Sequence, residues 1–258
     1  MHRKMWILFT GLCGLVMAAA IATPARAQEV KPKPPMYAYV AQWQVPRDKW
    51  PDLEKSSSAL MSVLEKATAD GTLVGYGRDE SLVHSADGAT HDNWWMANSM
   101  AGLVKVLEQV RVNAGNTSSA MSVATKHWDN IFVSRYYNWK PGQYKGAYIQ
   151  ISLFKLKPNA PRDALDQLCQ HLIVPLLEKL VADGTIFEYE VDTEAIHSDD
   201  PGTFALVYIT QTPEGLDKVQ AAIRDSGKAH PLSGEAFDSA TEDKGHRDYL
   251  MKGDGAYK

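Results

Sequence analysis

The sequence predicts an α+β fold made of two tandem copies of one β-α-β-β-α-β unit. Three observations predict it: an internal repeat held in one register, strand segments in which apolar and polar residues alternate, and helices that close on a repeated Asp-Gly-Thr. The repeat decides the organisation, because self-similarity at a fixed offset marks a duplicated structural unit.

Leu64 to Ser85 lies over Leu177 to Ser198 without a gap, at an offset of 113. Leu64, Glu65, Lys66, Ala69, Asp70, Gly71, Thr72, Tyr76, Asp79, His84 and Ser85 each meet an identical residue. The register continues past the variable turns, where Gly102, Leu103, Lys105, Val106 and Arg111 meet Gly215, Leu216, Lys218, Val219 and Arg224.

In the second copy, alternation from Ala147 to Leu156 predicts the first strand. Pro161 suits the first turn of a helix that runs to Ala182, and Asp183-Gly184 stops it, since glycine accepts the left-handed conformation after a helix. Strand two carries Phe187, Tyr189 and Val191 on one face and Glu188, Glu190 and Asp192 on the other. Ser198 to Gly202 turns into strand three, Phe204 to Thr210; a helix opens near Pro213-Glu214 and a last strand begins near His246. The first copy matches, with strands near Tyr37 to Val45, Thr72 to His84, Asn93 to Ala97 and Asn130 to Trp139. Its helices start at about Lys49 and at Met100.

The N-terminus reads as a cleaved signal peptide over residues 1–27. MHRK is basic, Met5 to Ala22 is nearly all apolar or small, and Ala25-Arg26-Ala27 supplies a small-x-small cleavage site. The mature chain is then expected in the periplasm or outside the cell, with no membrane attachment after cleavage. Leu12 stands where a lipoprotein signal before Cys13 would want Gly, Ala or Ser, so no lipid anchor is expected. Residues 28–35 form a proline-rich leader, 36–139 the first repeat, 140–145 a linker and 146–258 the second repeat.

Losing Arg3, Lys4 and Arg26 leaves 24 basic against 31 acidic residues, a formal charge of −7. That balance argues against nucleic acid, which needs a basic face. One thiol remains, Cys169 on an apolar helical segment, so no intramolecular disulfide forms and the packed core carries stability. Asn116-Thr117-Ser118 fits a glycosylation sequon.

Two β-α-β-β-α-β units in one chain resemble the ferredoxin-like α+β sandwich, and more specifically the dimeric α+β barrel superfamily. The resemblance covers nearly all of Met36 to Lys258 and rests on element order and duplication. It implies a single-chain barrel in which both copies join their sheets, with helices outside. It also implies a range of activities: cofactor-free monooxygenases, ring-cleavage and isomerase-type enzymes, haem-binding chlorite dismutases and dye-decolourising peroxidases, and stress-response proteins. Fold alone does not choose among them.

In a closed barrel, Phe187, Tyr189 and Val191 would take the helices and Glu188, Glu190 and Asp192 would point inward. The offset places Gly75, Gly77 and Asp79 at matching inner positions, where two glycines would leave open space beside acidic groups. Alternation also nominates Trp95 and Tyr208 on the third strands, and Tyr39, Trp43, Tyr148 and Gln150 on the first strands, as inner residues. An aromatic wall with a few convergent polar groups suits a small-molecule site. The competing reading puts strand two at a solvated sheet edge with its carboxylates in water.

The histidines form a second set of candidates. His84 and His197 end strand two, and His127 and His246 begin strand four, each followed two residues later by Asp129 and Asp248. In a sheet of order 4-1-3-2 these ends share a rim. Closing the barrel would bring His84 towards His246 and Asp248, and His197 towards His127 and Asp129. Such clusters suit a divalent metal or acid–base catalysis; the same histidines also suit strand-end capping. No cofactor is expected. A haem would need His171, the one helical candidate, as its axial ligand.

Two main functions fit these residues. One is an exported barrel that binds a small organic molecule, polar or cationic, in an aromatic and acidic interior. The alternative is a cofactor-independent monooxygenase or isomerase-type enzyme using a His/carboxylate pair as acid and base. A third reading, an assembly protein, would leave the barrel filled.

Overall fold

The computed structural model describes residues 30–56, 58–85, 88–113, 122–196 and 201–258. The signal-peptide reading, His197 and the Asn116 sequon lie outside these.

Each repeat supplies four strands. The first gives β1 (Met36–Gln44), β2 (Gly75–Ser81), β3 (His91–Ala97) and β4 (Lys126–Trp139). The second gives β5 (Gly142–Lys155), β6 (Glu188–Glu194), β7 (Thr203–Thr210) and β8 (Arg247–Tyr257). They close into one barrel in the order β1-β3-β2-β8-β5-β7-β6-β4, and neighbouring strands run antiparallel. Each half therefore has the expected order 4-1-3-2. Its second strand pairs with the fourth strand of the other half, β2 with β8 and β6 with β4. Those two ladders satisfy the edges that each half alone would leave open.

The helices lie outside: α1 (Trp50–Ser56), α2 (Ser58–Ala69), α3 (Met100–Asn113), α4 (Ala164–Leu168), α5 (Val174–Ala182), α6 (Pro213–Ala229) and α7 (Pro231–Ala240). The repeated Asp-Gly-Thr explains two of their ends. Gly71 and Gly184 adopt φ of 84° and 83°. Asp70 and Asp183 accept the backbone N–H of Thr72 and Thr185, each at 2.9 Å, an Asx turn that ends the helix and aims the chain into the next strand. Among the described residues no helix is long and apolar enough to cross a membrane.

Three expectations change. The long helix of the second copy is interrupted by a π-helical turn over Cys169–Ile173. Pro175, just after that turn, has no N–H to donate to the carbonyl four residues back, and a widened turn absorbs the mismatch. The linker shrinks to Lys140 and Pro141, because β5 starts at Gly142 and pairs Gly142 with Tyr257. An additional helix, α7, precedes β8.

Two cores fill the space between helices and sheet. In the first half Tyr39, Trp43, Tyr76 and Trp95 pack with Leu64, Leu73, Leu103 and Val106. In the second, Tyr189, Val191 and Tyr208 pack with Cys169, Leu177, Leu180 and Val219. A third group, including Met36, Met96, Tyr144, Ile209 and Tyr257, lies inside the barrel near one end. The Tyr257 ring centroid lies 5.5 Å from that of Trp94, tilted against it, and 5.4 Å from that of Trp139, stacked on it, so clustered aromatics close that end.

Candidate functional site

The register determines which side chains share the interior, because residues directly opposite on neighbouring strands face the same way. Asp79 pairs with Asp92 and Gly253, while Glu188, Glu190 and Asp192 pair with Ile209, Val207 and Ala205. All five carboxyls are buried, and they line a cavity of about 620 Å³. Its walls include Val40, Phe132, Ile151, Val207, Met251 and the Trp94 indole. Its mouth carries Gln42, Trp128, Lys155, Glu194 and Arg247.

The inward direction expected for Asp79, Glu188 and Glu190 matches this geometry; the aromatic assignments need correction. Tyr76 lies opposite Trp95, and Tyr39 also lies opposite Trp95, stacked on it with centroids 4.3 Å apart. Tyr189 lies opposite Tyr208. Once Tyr76 and Tyr189 face the helices, Tyr39, Trp43, Trp95 and Tyr208 must do so too. Tyr148 and Gln150 also fall outside, because the inner residues of β5 are Ile149, Ile151 and Leu153. Alternation gives each strand its period, but only pairing gives the phase between strands.

The space expected beside Gly75 and Gly77 is occupied. A Cβ on Gly75 would stand 2.7 Å from the Tyr257 ring, and one on Gly77 2.5 Å from the Trp94 ring. Glycine at these positions lets aromatic rings lie flat on the strand. On the neighbouring strand Gly253 and Gly255 do the same for the Asp79 carboxyl and the Tyr144 hydroxyl.

Asp79 and Asp92 lie directly opposite one another, each with its Oδ1 buried without a partner, and Trp94 Nε1 donates to Asp79 Oδ2 at 3.0 Å. Burial pushes the Asp79 carboxyl up to about 7; burial and then the charge of Asp79 hold Asp92 well above the carboxylate range. Across the barrel Glu190 and Asp192 stand two residues apart on β6, each with a carboxyl oxygen buried without a partner, and Ser134 lies opposite Asp192. Burial pushes Asp192 up to about 7 and holds Glu190 and Glu188 well above the carboxylate range. Desolvation disfavours the charged form, and like charges at short range share protons. The site therefore contains two acid pairs that can each hold one proton.

The described histidines stand outside this cavity. His127 stacks on Trp43 at 3.7 Å, with Nδ1 3.0 Å from the Gln42 carbonyl and Nε2 3.2 Å from Asp129. His246 stacks on Phe154 at 4.5 Å, with Nε2 3.2 Å from Asp248. Each fourth-strand histidine thus pairs with its own aspartate. His84 packs instead beside Trp50, which His91 meets edge-on. Burial lowers His91 to about 4 and keeps it neutral. Among the described residues no group of three or more His, Cys, Asp or Glu could hold a metal ion.

A haem does not fit these residues. His171 is exposed on the π turn, and the layer between helices and sheet is packed with side chains. Cys169 is buried, and burial pushes its thiol up to about 12, as suits a core residue.

Sequence reasoning missed Asp92, Trp94, Tyr144 and Tyr257. Asp92 and Trp94 follow from the register of Asp79. The alternating glycines of β2 and of Gly253-Asp254-Gly255 are the signal that large neighbouring side chains fold over these strands.

The fold defines the class: a ferredoxin-like barrel of the dimeric α+β type, closed within one chain. No family model and no curated protein matches the chain. Among solved structures it is similar to a protein assigned as a monooxygenase from Lactobacillus acidophilus NCFM, with TM-score 0.64 and 9% identity over 86% of this chain and 94% of that one. It is also similar to one so assigned from Fusobacterium nucleatum subsp. nucleatum ATCC 25586, with TM-score 0.63 and 10% identity over 88% and 95%. An anthrone oxidase-like protein matches at TM-score 0.55 and 11% identity over 86% and 92%. At these identities the likeness is one of fold.

Proposed function

We propose that this chain is an exported, cofactor-independent enzyme of the oxygenase or isomerase type, using the Asp79–Asp92 pair as acid and base. The observation that carries the reading is a buried carboxyl pair, Asp79 directly opposite Asp92, on the wall of a 620 Å³ cavity lined by apolar and acidic side chains. The ionised member can take a proton from carbon beside a carbonyl. The protonated member can donate to the oxygen that gathers the charge, so one pair serves both roles. Returning the proton to another carbon isomerises the substrate; passing the electrons of the same anion to dioxygen oxygenates it. The structural neighbours assigned as monooxygenases and the anthrone oxidase-like protein favour this reading over simple binding. It replaces the expected His/carboxylate pair with two carboxyls.

Solvent exchange tests it. The mature protein is incubated in D₂O with anthrone, isovalerophenone and 2-(dimethylamino)acetophenone, and loss of the acidic C–H signal is followed by proton NMR. At least one ketone should exchange above the buffer rate, and Asp92→Asn should slow it by about 10²–10⁴-fold. Exchange at the buffer rate for all three, or an undiminished rate in Asp92→Asn, sinks the proposal.

A further inference from the structure

We infer that the molecule taken into this cavity carries an organic ammonium group, clasped between the acidic walls of β2–β3 and β6 and lying against the Trp94 indole. The inference rests on the cavity just described and names its substrate class.

The barrel order sets β2 and β6 four strands apart, on opposite walls. Asp79 and Asp192 occupy matched positions of the duplication, so the two acidic walls face each other across its pseudo-twofold axis. Glu188 lies deeper and feels the charge of both.

The groups that act on these five carboxyls are one another, Asp254, Trp94 and Ser134. The basic residues lining the cavity, Lys155, Lys244 and Arg247, belong to its mouth. Unpartnered buried polar atoms stand in the cavity wall and beside it. The Tyr144 hydroxyl is buried without a partner, rests over Gly255, and is acted on by Asp79, Glu188 and Asp92. Both Glu188 carboxyl oxygens are likewise buried without a partner.

Buried carboxyls need either protons or a counter-charge. Without a ligand they keep protons; a cation entering between the walls takes over that task and expels them. The surroundings select an organic cation. Trp94 offers a π face to an ammonium group, and Ile151, Val207 and Phe132 would cover its carbon skeleton. The acidic groups facing the site from β2, β3 and β6, with the Tyr257 phenol from β8, all favour positive charge there.

The test is calorimetric titration of the unmodified mature protein with 2-(dimethylamino)acetophenone, below neutrality where the amine is protonated, and with its neutral isostere isovalerophenone. The amine should bind at least about tenfold tighter, and its heat should differ between phosphate and Tris because binding releases protons. Glu190→Gln/Asp192→Asn should remove that preference, bringing the affinity for the amine down to that for isovalerophenone. Equal affinity for the two ketones, or no binding of the amine, overturns the inference; the comparison on unmodified protein stands even if the variant fails to fold. Amine binding without solvent exchange supports the inference and sinks the proton-transfer reading. Exchange without an amine preference does the reverse.

Discussion

Trp94 Nε1 donates to Asp79 Oδ2 at 3.0 Å from the strand that also places Asp92 directly opposite Asp79. One indole thus stabilises the ionised form of Asp79 while burial opposes it, and the neighbouring carboxyl supplies the proton that settles the balance. Trp94→Phe removes the donor but keeps most of the ring. It should shift the pH dependence of solvent exchange towards higher pH, because Asp79 loses the bond that lowers its pKa. A pH–rate profile beside that of the unmodified protein checks this.

Stability should fall as pH rises from acid to neutral. Asp79 and Asp192 titrate at about 7 in the folded chain and near 3.9 when unfolded. A raised acid binds more protons folded than unfolded. Its contribution is therefore fully present below about pH 4 and is lost as pH climbs to about 7. Thermal unfolding by circular dichroism should give a higher Tm at pH 5 than at pH 8. Asp92→Asn should narrow that gap by raising the Tm at pH 8, since it relieves charge in the pair.

Gly253→Ala should destabilise the barrel by roughly 1–3 kcal/mol or more, as overpacking does, because its Cβ would overlap the Asp79 carboxyl and the Arg78 carbonyl. Gly227→Ala, in α6 with nothing within 4 Å of the new methyl, should be neutral or stabilising by up to about 1 kcal/mol. Urea unfolding of the two variants separates a glycine required by close approach from one that is replaceable.

Trp95→Ala should cost about 3–5 kcal/mol, since it empties a buried site in the outer core. In the fraction that stays folded, ketone binding should be unchanged, because Trp95 faces the helices. Equilibrium unfolding and calorimetry of the same preparation read both quantities.

His127→Gln should lower stability by roughly 0.5–1.5 kcal/mol through loss of the stack on Trp43. Solvent exchange should persist at the unmodified rate, because the imidazole lies on the outer face. A rate falling with His127 would instead restore the rim histidines to the chemistry.

Sequence alone determined the duplication, the element order, the Asp-Gly-Thr helix ends and the division of β6 into an acidic and an apolar face, because each is local or repeated at a fixed offset. It also made strands two and four the outer strands of each half, and the closure that joins them is shown by the pairing of β2 with β8 and of β6 with β4. Tertiary structure decided the rest. Trp94 and Trp95 are adjacent, and alternation says that they face opposite ways without saying which one is inside. Only the pairing of Tyr76 with Trp95 and of Asp79 with Asp92 assigns them. The outer face, wide enough for aromatics between sheet and helices, took Tyr39, Trp43, Trp95 and Tyr208. The interior took aliphatic side chains, carboxyls and a few rings, three of them seated on glycines. A carboxyl pair, unlike a helix stop, is made by two strands joined by a loop whose length does not reveal their register.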